Sequence, residues 1–177
     1  MGTKEKNEIP VVSIVGQSKT GKTTLIERLI PAFKEKGLDI AVIKHHHLDF
    51  EVDVPGKDTH RFKQAGAKTT IISSPVKLAM VTSVEKDIKP MEIIRQYIKD
   101  VDLIIIEGYK KERIPKIEVY RYKKGSSPIC LKDGLLMAIV TDLPFDSHVP
   151  VFHMDEIEVI ADFIVSKFIN NSVPLAP

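Results

Sequence analysis

The sequence predicts an α/β fold: a largely parallel sheet covered by helices on both faces, with an antiparallel hairpin. Three observations carry this. Apolar runs of strand length alternate with stretches of helical period along the chain. Several runs, residues 103–106 above all, are apolar throughout, as strands buried on both faces are. Two short runs on either side of Pro75 read as a hairpin.

The elements follow in order. Residues 9–15 form an apolar strand that ends at Gly16. Residues 16–23 are a glycine-bearing loop. From Thr24 the pattern turns helical, with Leu25, Ile26, Leu29, Ile30 and Phe33 at steps of three and four. Pro31 interrupts this helix and can bend it, and residues 34–37 close it with positive charge and a glycine. Residues 38–44 are a second strand and 45–57 a loop. Residues 58–65 read as a short helix ended by Gly66. The hairpin strands are 68–73 and 78–84. Residues 90–99 are a helix with Pro90 at its start. Residues 102–106 are the most buried-looking strand, and 116–122 alternate as a half-exposed strand does. Residues 135–140 and 149–152 are further strands, and Asp155 is expected to cap a last helix with Glu158 three residues on.

The length of 177 residues fits one domain, spanning 1–177 with 1–8 and 171–177 as flexible tails. A chain of this size buries about 70% of the surface it exposes when unfolded, enough for a core without staples. Lys and Arg number 26 against 24 Asp and Glu, so the charge balance points to no nucleic-acid partner. The single Cys130 leaves no intramolecular disulfide and fits a reducing compartment. No apolar run reaches the roughly 18 residues of a membrane span, and the charged start lacks the apolar region of a signal peptide. The expectation is a cytoplasmic protein.

The chemistry concentrates after the first strand. Gly16-Gln17-Ser18-Lys19-Thr20-Gly21-Lys22-Thr23 fits G-x-x-x-x-G-K-[ST] at every position, between a strand and a helix. This is the phosphate loop of a P-loop NTPase. Glycines let the backbone fold around phosphate oxygens, and successive N–H groups and the positive helix end point at them. Lys22 would reach the β- and γ-phosphates, and the Thr23 hydroxyl would ligate Mg²⁺. Thr20 and Thr24 flank the loop, either as α-phosphate contacts or as helix-start residues. Lys19 reads as a solvated charge.

Glu107 follows the buried strand at the carboxyl end, where open α/β sheets bind ligands, and can hold a magnesium shell or orient water. Gly108 lets the chain turn away close to a phosphate. Asp102, at the other end, reads as a turn residue. His45, His46 and His47 stand beside Asp49, Glu51 and Asp53, but consecutive residues of an extended chain point to opposite faces, which argues against a zinc site. A polar loop facing an anionic ligand, or Asp53 in a magnesium shell, fits better. His148 and His153 read as ordinary positions. No N-K-x-D guanine reader occurs. Asp142, after a late apolar strand, is chemically apt to accept from guanine N1–H and N2–H, and equally apt as a turn residue before Pro144. The residues alone leave GTP and ATP open.

Residues 16–24, the stretch from Ile43-Lys44-His45 through Asp53, Pro55-Gly56-Lys57-Asp58 and Ala65-Gly66-Ala67, and residues 102–110 together resemble the MobB family of molybdopterin-guanine dinucleotide biosynthesis adapter proteins. The resemblance spans most of residues 10–145. It implies a P-loop fold in the group that includes signal-recognition GTPases and dethiobiotin synthetase. It further implies a homodimer, GTP binding with slow hydrolysis, and work beside the MobA guanylyltransferase, which joins GMP to molybdopterin. Carried over by position, 16–24 would bind phosphates, Glu107 would sit in the metal and water region, and the Asp53 loop would face the nucleotide. The chain lacks the L-x-G-G-x-S-x-R-M-G motif of the transferase, so it is not expected to transfer the guanylyl group itself. Arg61 and Arg113 read as surface residues rather than arginine fingers. Two rivals remain at this stage: a small-molecule kinase or ATP-dependent ligase with an acceptor pocket near 45–53, and a GTP-bound carrier with no catalytic step.

Overall fold

The computed structural model describes residues 9–46, 48–123 and 126–170. The expected tails at 1–8 and 171–177, and His47, lie outside them. Residues up to His45, with those from Gln96 onward, form one compact unit, and His46–Arg95 form a second. The elements are β1 (Val11–Val15), α1 (Lys22–Glu35), β2 (Ile40–Lys44), α2 (Asp58–Gln64), β3 (Thr69–Ser74), β4 (Lys77–Thr82), α3 (Pro90–Tyr97), β5 (Leu103–Glu107), β6 (Lys116–Tyr120), β7 (Leu136–Thr141), β8 (Val151–His153) and α4 (Ile157–Phe168). None of the described helices is long and apolar enough to cross a membrane.

In the first unit six strands lie in the order β2-β5-β1-β6-β7-β8, every neighbouring pair parallel. Their carboxyl ends therefore share one edge. Alternate residues of each strand point to opposite faces. Val12, Ile14, Leu103, Ile105, Ile117 and Val119 meet the apolar stripes of α1 and α4 in one cluster. Burial of each such side chain contributes about 1.5–3 kcal/mol. α1 runs through Pro31 without interruption. The carbonyl that Pro31 leaves without its helical donor belongs to Glu27, on the exposed side of the helix where water can serve it.

The sheet differs from expectation at β6. Its polar–apolar alternation suggested a half-exposed strand, yet all five residues are buried. The polar side is satisfied by protein instead of water. Lys116 Nζ donates to the carbonyls of Glu112 at 2.7 Å and Ile114 at 3.0 Å, and pairs with Asp133 at 3.1 Å. Glu118 accepts the amides of Ile129 at 2.6 Å and Cys130 at 2.8 Å, while the Tyr120 hydroxyl donates to the Ser126 carbonyl. These bonds strap 126–133 across the sheet. Burial pushes the Glu118 carboxyl above its ordinary range against the pull of the two amides. For Asp133 burial pushes upward too, but the Leu135 amide and the Lys116 ammonium outweigh it and hold the carboxyl low. Within the strap burial raises the Cys130 thiol to about 11, so this cysteine stays protonated and unreactive at neutral pH.

The start of α4 also differs from expectation. Glu156, not Asp155, holds the cap position, and no side chain caps the helix. Asp155 instead pairs with Arg28 of α1 at 2.9 Å, and Glu158 lies 3.5 Å from Lys36. Ion pairs with α1 and with Lys36 just after it take both carboxylates away from the backbone amides.

In the second unit β3 and β4 pair antiparallel from Thr69↔Thr82 to Ser74↔Lys77, leaving Pro75 and Val76 as the turn. Adjacent residues Ile71 and Ile72 point to opposite faces, and both are more than half exposed, as is Leu78. A lone two-stranded ribbon with apolar groups on both faces is marginal by itself.

Candidate functional site

The site is built where β1 delivers the chain into α1. Gly16 has φ 143°, and a Cβ there would stand 2.2 Å from the Val119 carbonyl oxygen of the neighbouring β6. Only glycine fits so close to a paired strand. Gln17, Ser18 and Lys19 form the exposed crest, with Lys19 itself at φ 64°. Thr20 turns inward, and its hydroxyl donates to the Gln17 carbonyl at 3.0 Å, so it closes the loop. Gly21 caps α1 at φ 98°, and a Cβ on it would meet Met154 Cε at 3.1 Å. α1 starts at Lys22, two residues before the apolar period suggested, which leaves Thr24 exposed on its first turn.

Lys22 folds back over the loop. Its Nζ donates to the carbonyls of Gln17 at 2.7 Å and Gly16 at 3.3 Å. Burial lowers its pKa. Glu107 pulls the other way, and Lys44 and Lys110 add to the lowering. A desolvated ammonium crowded by other cations favours an anionic ligand.

β5 lies beside β1 with Ile14 opposite Glu107, which sets the Glu107 carboxylate next to the loop. The Thr23 hydroxyl donates to both its oxygens, at 3.0 and 3.1 Å. Across the other neighbour, Lys44 is in register with Glu107 and its ammonium lies 3.3 Å from Oε2. Gly108, at φ 109°, carries the chain away, its amide donating to Ile14 and its carbonyl accepting from the Ser13 hydroxyl at 2.6 Å. A Cβ on Gly108 would press on His45 Cβ at 3.3 Å, and the His45 ring stacks on Tyr109 with centroids 4.1 Å apart.

On the far side of the loop Arg121 follows β6, with guanidinium nitrogens 3.8 and 3.9 Å from where a Gly21 Cβ would be. Its Nε lies 3.9 Å from Asp142 Oδ2, at the end of β7. Asp142 thus stands at the same sheet edge as Gly16 and Glu107. Asp102, at the opposite end of β5, accepts the Asp39 amide at 2.8 Å as a turn residue. Asp53 belongs to the second unit, where Oδ1 accepts the Thr59 hydroxyl at 3.1 Å and Oδ2 is buried without a hydrogen-bond partner. Arg61 pairs with Asp58 on the surface, and Arg113 and His148 are exposed. His153 lies 3.5 Å from Asp155.

The residues present fit a nucleotide phosphate chain with a divalent cation. The glycine cradle is too tight for any Cβ at Gly16, and Thr23 with Glu107 supplies hard oxygen donors side by side. Among the described residues no three His, Cys, Asp or Glu side chains converge to hold a metal alone. Magnesium bound by one carboxylate, one hydroxyl, water and ligand phosphates is the arrangement that this donor set suits. Sequence reasoning gave no role to Lys44 or Arg121. The signal available was a basic residue closing or following a strand, and it gains meaning only when the strand order sets those residues beside the loop.

The family profile described as Molybdopterin guanine dinucleotide synthesis protein B matches residues 11–142. The chain is 37% identical over 165 residues to the molybdopterin-guanine dinucleotide biosynthesis adapter protein of Escherichia coli (strain K12), covering 90% of this chain and 94% of the relative. It is 35% identical over 159 residues to the protein of that name in Haemophilus influenzae, covering 89% of each. The crystal structure of Bacillus subtilis MobB superimposes with a TM-score of 0.69 at 29% identity, over 89% of this chain and 96% of that one.

Proposed function

Because the chain belongs to the molybdopterin guanine dinucleotide synthesis protein B family, we propose that it is a GTP-binding, slowly hydrolysing adapter in molybdenum cofactor maturation. It assists a partner guanylyltransferase of the MobA kind that attaches GMP to molybdopterin. The observation that carries the nucleotide reading is the pairing of a glycine cradle with the Thr23–Glu107 contact at one sheet edge. Residues 16–24 hold the phosphates, with Lys22 exchanging loop carbonyls for phosphate oxygens. Thr23 and Glu107 hold Mg²⁺, which when bound neutralises charge on the phosphates. Asp142 faces the base and Gly108 leaves room beside the phosphates. The name of the relatives supports the adapter role, and the absence of a transferase motif supports assistance over catalysis of the transfer. The exposed Ile71, Ile72 and Leu78 support a homodimer built on the hairpin. No arginine finger is assigned, and such a finger is worth about 10³–10⁵ in rate, so hydrolysis is slow.

The test is a guanylyl-transfer reaction with purified guanylyltransferase, molybdopterin, GTP and Mg²⁺. Adding the wild-type chain should raise the yield of the dinucleotide. No gain at any concentration contradicts the adapter role. Glu107→Gln should retain bound GTP and lose hydrolysis. If that variant still supports the gain, the chain acts as a carrier; unchanged hydrolysis would remove Glu107 from the metal and water region.

A further inference from the structure

Glu107 is held by two different groups. Its carboxylate is 13% exposed, accepts the Thr23 hydroxyl at 3.0 and 3.1 Å, and lies 3.3 Å from the ammonium of Lys44. The two strands fix this meeting, because Lys44 and Glu107 are in register at the last rung of β2 and β5. Lys44 is 56% exposed, so its flexible stem can swing away into water while the carboxylate stays in place. A divalent cation held by Thr23 and Glu107 would draw on the carboxylate that Lys44 now neutralises. Two cations on one carboxylate repel each other, so a divalent cation there weakens the hold of Lys44.

We propose that Lys44 is the resident counter-ion of Glu107, taking the divalent cation's place when none is bound and yielding it when Mg²⁺ arrives. Lys44 is a positioning residue that tunes the Mg²⁺ dependence of nucleotide binding. Without it, the carboxylate keeps only the neighbouring Lys22 to offset its charge and repels the phosphates more strongly in the absence of metal. With metal present, no rival cation remains. Removal of Lys44 therefore widens the gap between metal-free and metal-loaded affinity. A cross-strand ion pair with a purely structural role would weaken both states alike. The inference rests on the nucleotide reading above.

The experiment is GTP titration of the full chain in EDTA and in saturating Mg²⁺, for wild type, Lys44→Met and Lys44→Arg, with the melting temperature of each apoprotein as a folding control. Lys44→Met should lose about tenfold in affinity in EDTA, the scale of one lost charge-assisted contact, and little or nothing in Mg²⁺. Its half-saturating Mg²⁺ concentration should fall. Lys44→Arg should restore the wild-type ratio. Equal loss in both conditions, or no change in either, overturns the proposal. If Lys44→Met fails to fold, Lys44→Gln takes its place with the same two expectations. A wild-type chain that binds GTP in neither condition overturns the nucleotide reading itself, and the role of Lys44 falls with it; wild-type binding with an unaltered ratio in the variants overturns the role of Lys44 alone.

Discussion

Replacing Lys22 by Ala is expected to weaken Mg²⁺·GTP binding by roughly ten- to a hundredfold, while leaving the fold nearly intact. The magnitude is that of hydrogen bonds to charged groups, about 1.5–3 kcal/mol. In this structure Lys22 Nζ bonds only loop carbonyls, those of Gln17 and Gly16, among the described residues. Gln17 is exposed, so water can replace the ammonium there when the side chain is removed. Burial, with Lys44 and Lys110 nearby, holds the Lys22 pKa low, so the loop also loses a cation that is poorly solvated when no anion is bound. Little stability is therefore at stake, whereas a phosphate would lose its direct partner. Calorimetry on the variant and urea unfolding of the same sample separate the two effects. Unchanged affinity would mean that the loop does not cradle phosphate through Lys22.

Gly16→Ala should do the opposite and damage the scaffold itself. The added Cβ would stand 2.2 Å from the Val119 carbonyl oxygen, and the atom it meets is backbone. β1 and β6 are paired up to Val15↔Glu118, so they cannot part there without breaking the ladder. Overpacking costs about 1–3 kcal/mol, and a backbone conformation that L residues rarely adopt costs about 1–3 kcal/mol more. Loss of several kcal/mol in urea unfolding, together with loss of GTP binding, is the expected result. Gly37→Ala is the control. Gly37 also has positive φ, 76°, but nothing lies within 4 Å of its missing Cβ, so only the backbone strain applies. Equal small effects for the two variants would contradict the close approach of β6 to the loop.

These contrasts show which parts of the molecule local sequence can encode. The loop from Gly16 to Thr24 is legible because its glycines, lysine and threonine act within eight residues of one another. The place of Glu107 beside the loop is legible because it ends an apolar strand whose carboxyl end shares one sheet edge with β1. The parallel sheet follows from apolar runs alternating with helical period. What is not legible depends on partners brought in by topology. β6 reads the same whether its polar side meets water or a backbone strap, and only the fold puts Ile129 and Cys130 opposite Glu118. Asp155 has the sequence context of a helix cap, but Arg28, far away in the chain, takes its carboxylate. Lys44 and Arg121 gain their places from the order β2-β5-β1-β6-β7, which no local pattern states. Asp53 shows a different limit. The resemblance has its loop face the nucleotide, and within its own unit Oδ1 accepts the Thr59 hydroxyl while Oδ2 is buried without a hydrogen-bond partner, a placement that no local pattern states.

The base remains the point at which chemistry and family membership meet, since Asp142 suits guanine but no N-K-x-D element accompanies it. Titration calorimetry of the wild-type chain with GTP and with ATP, each in the presence of Mg²⁺, addresses this directly. A guanine-reading adapter should bind GTP clearly more tightly than ATP, with one site per chain. ATP preference, or no binding of either nucleotide, would contradict it.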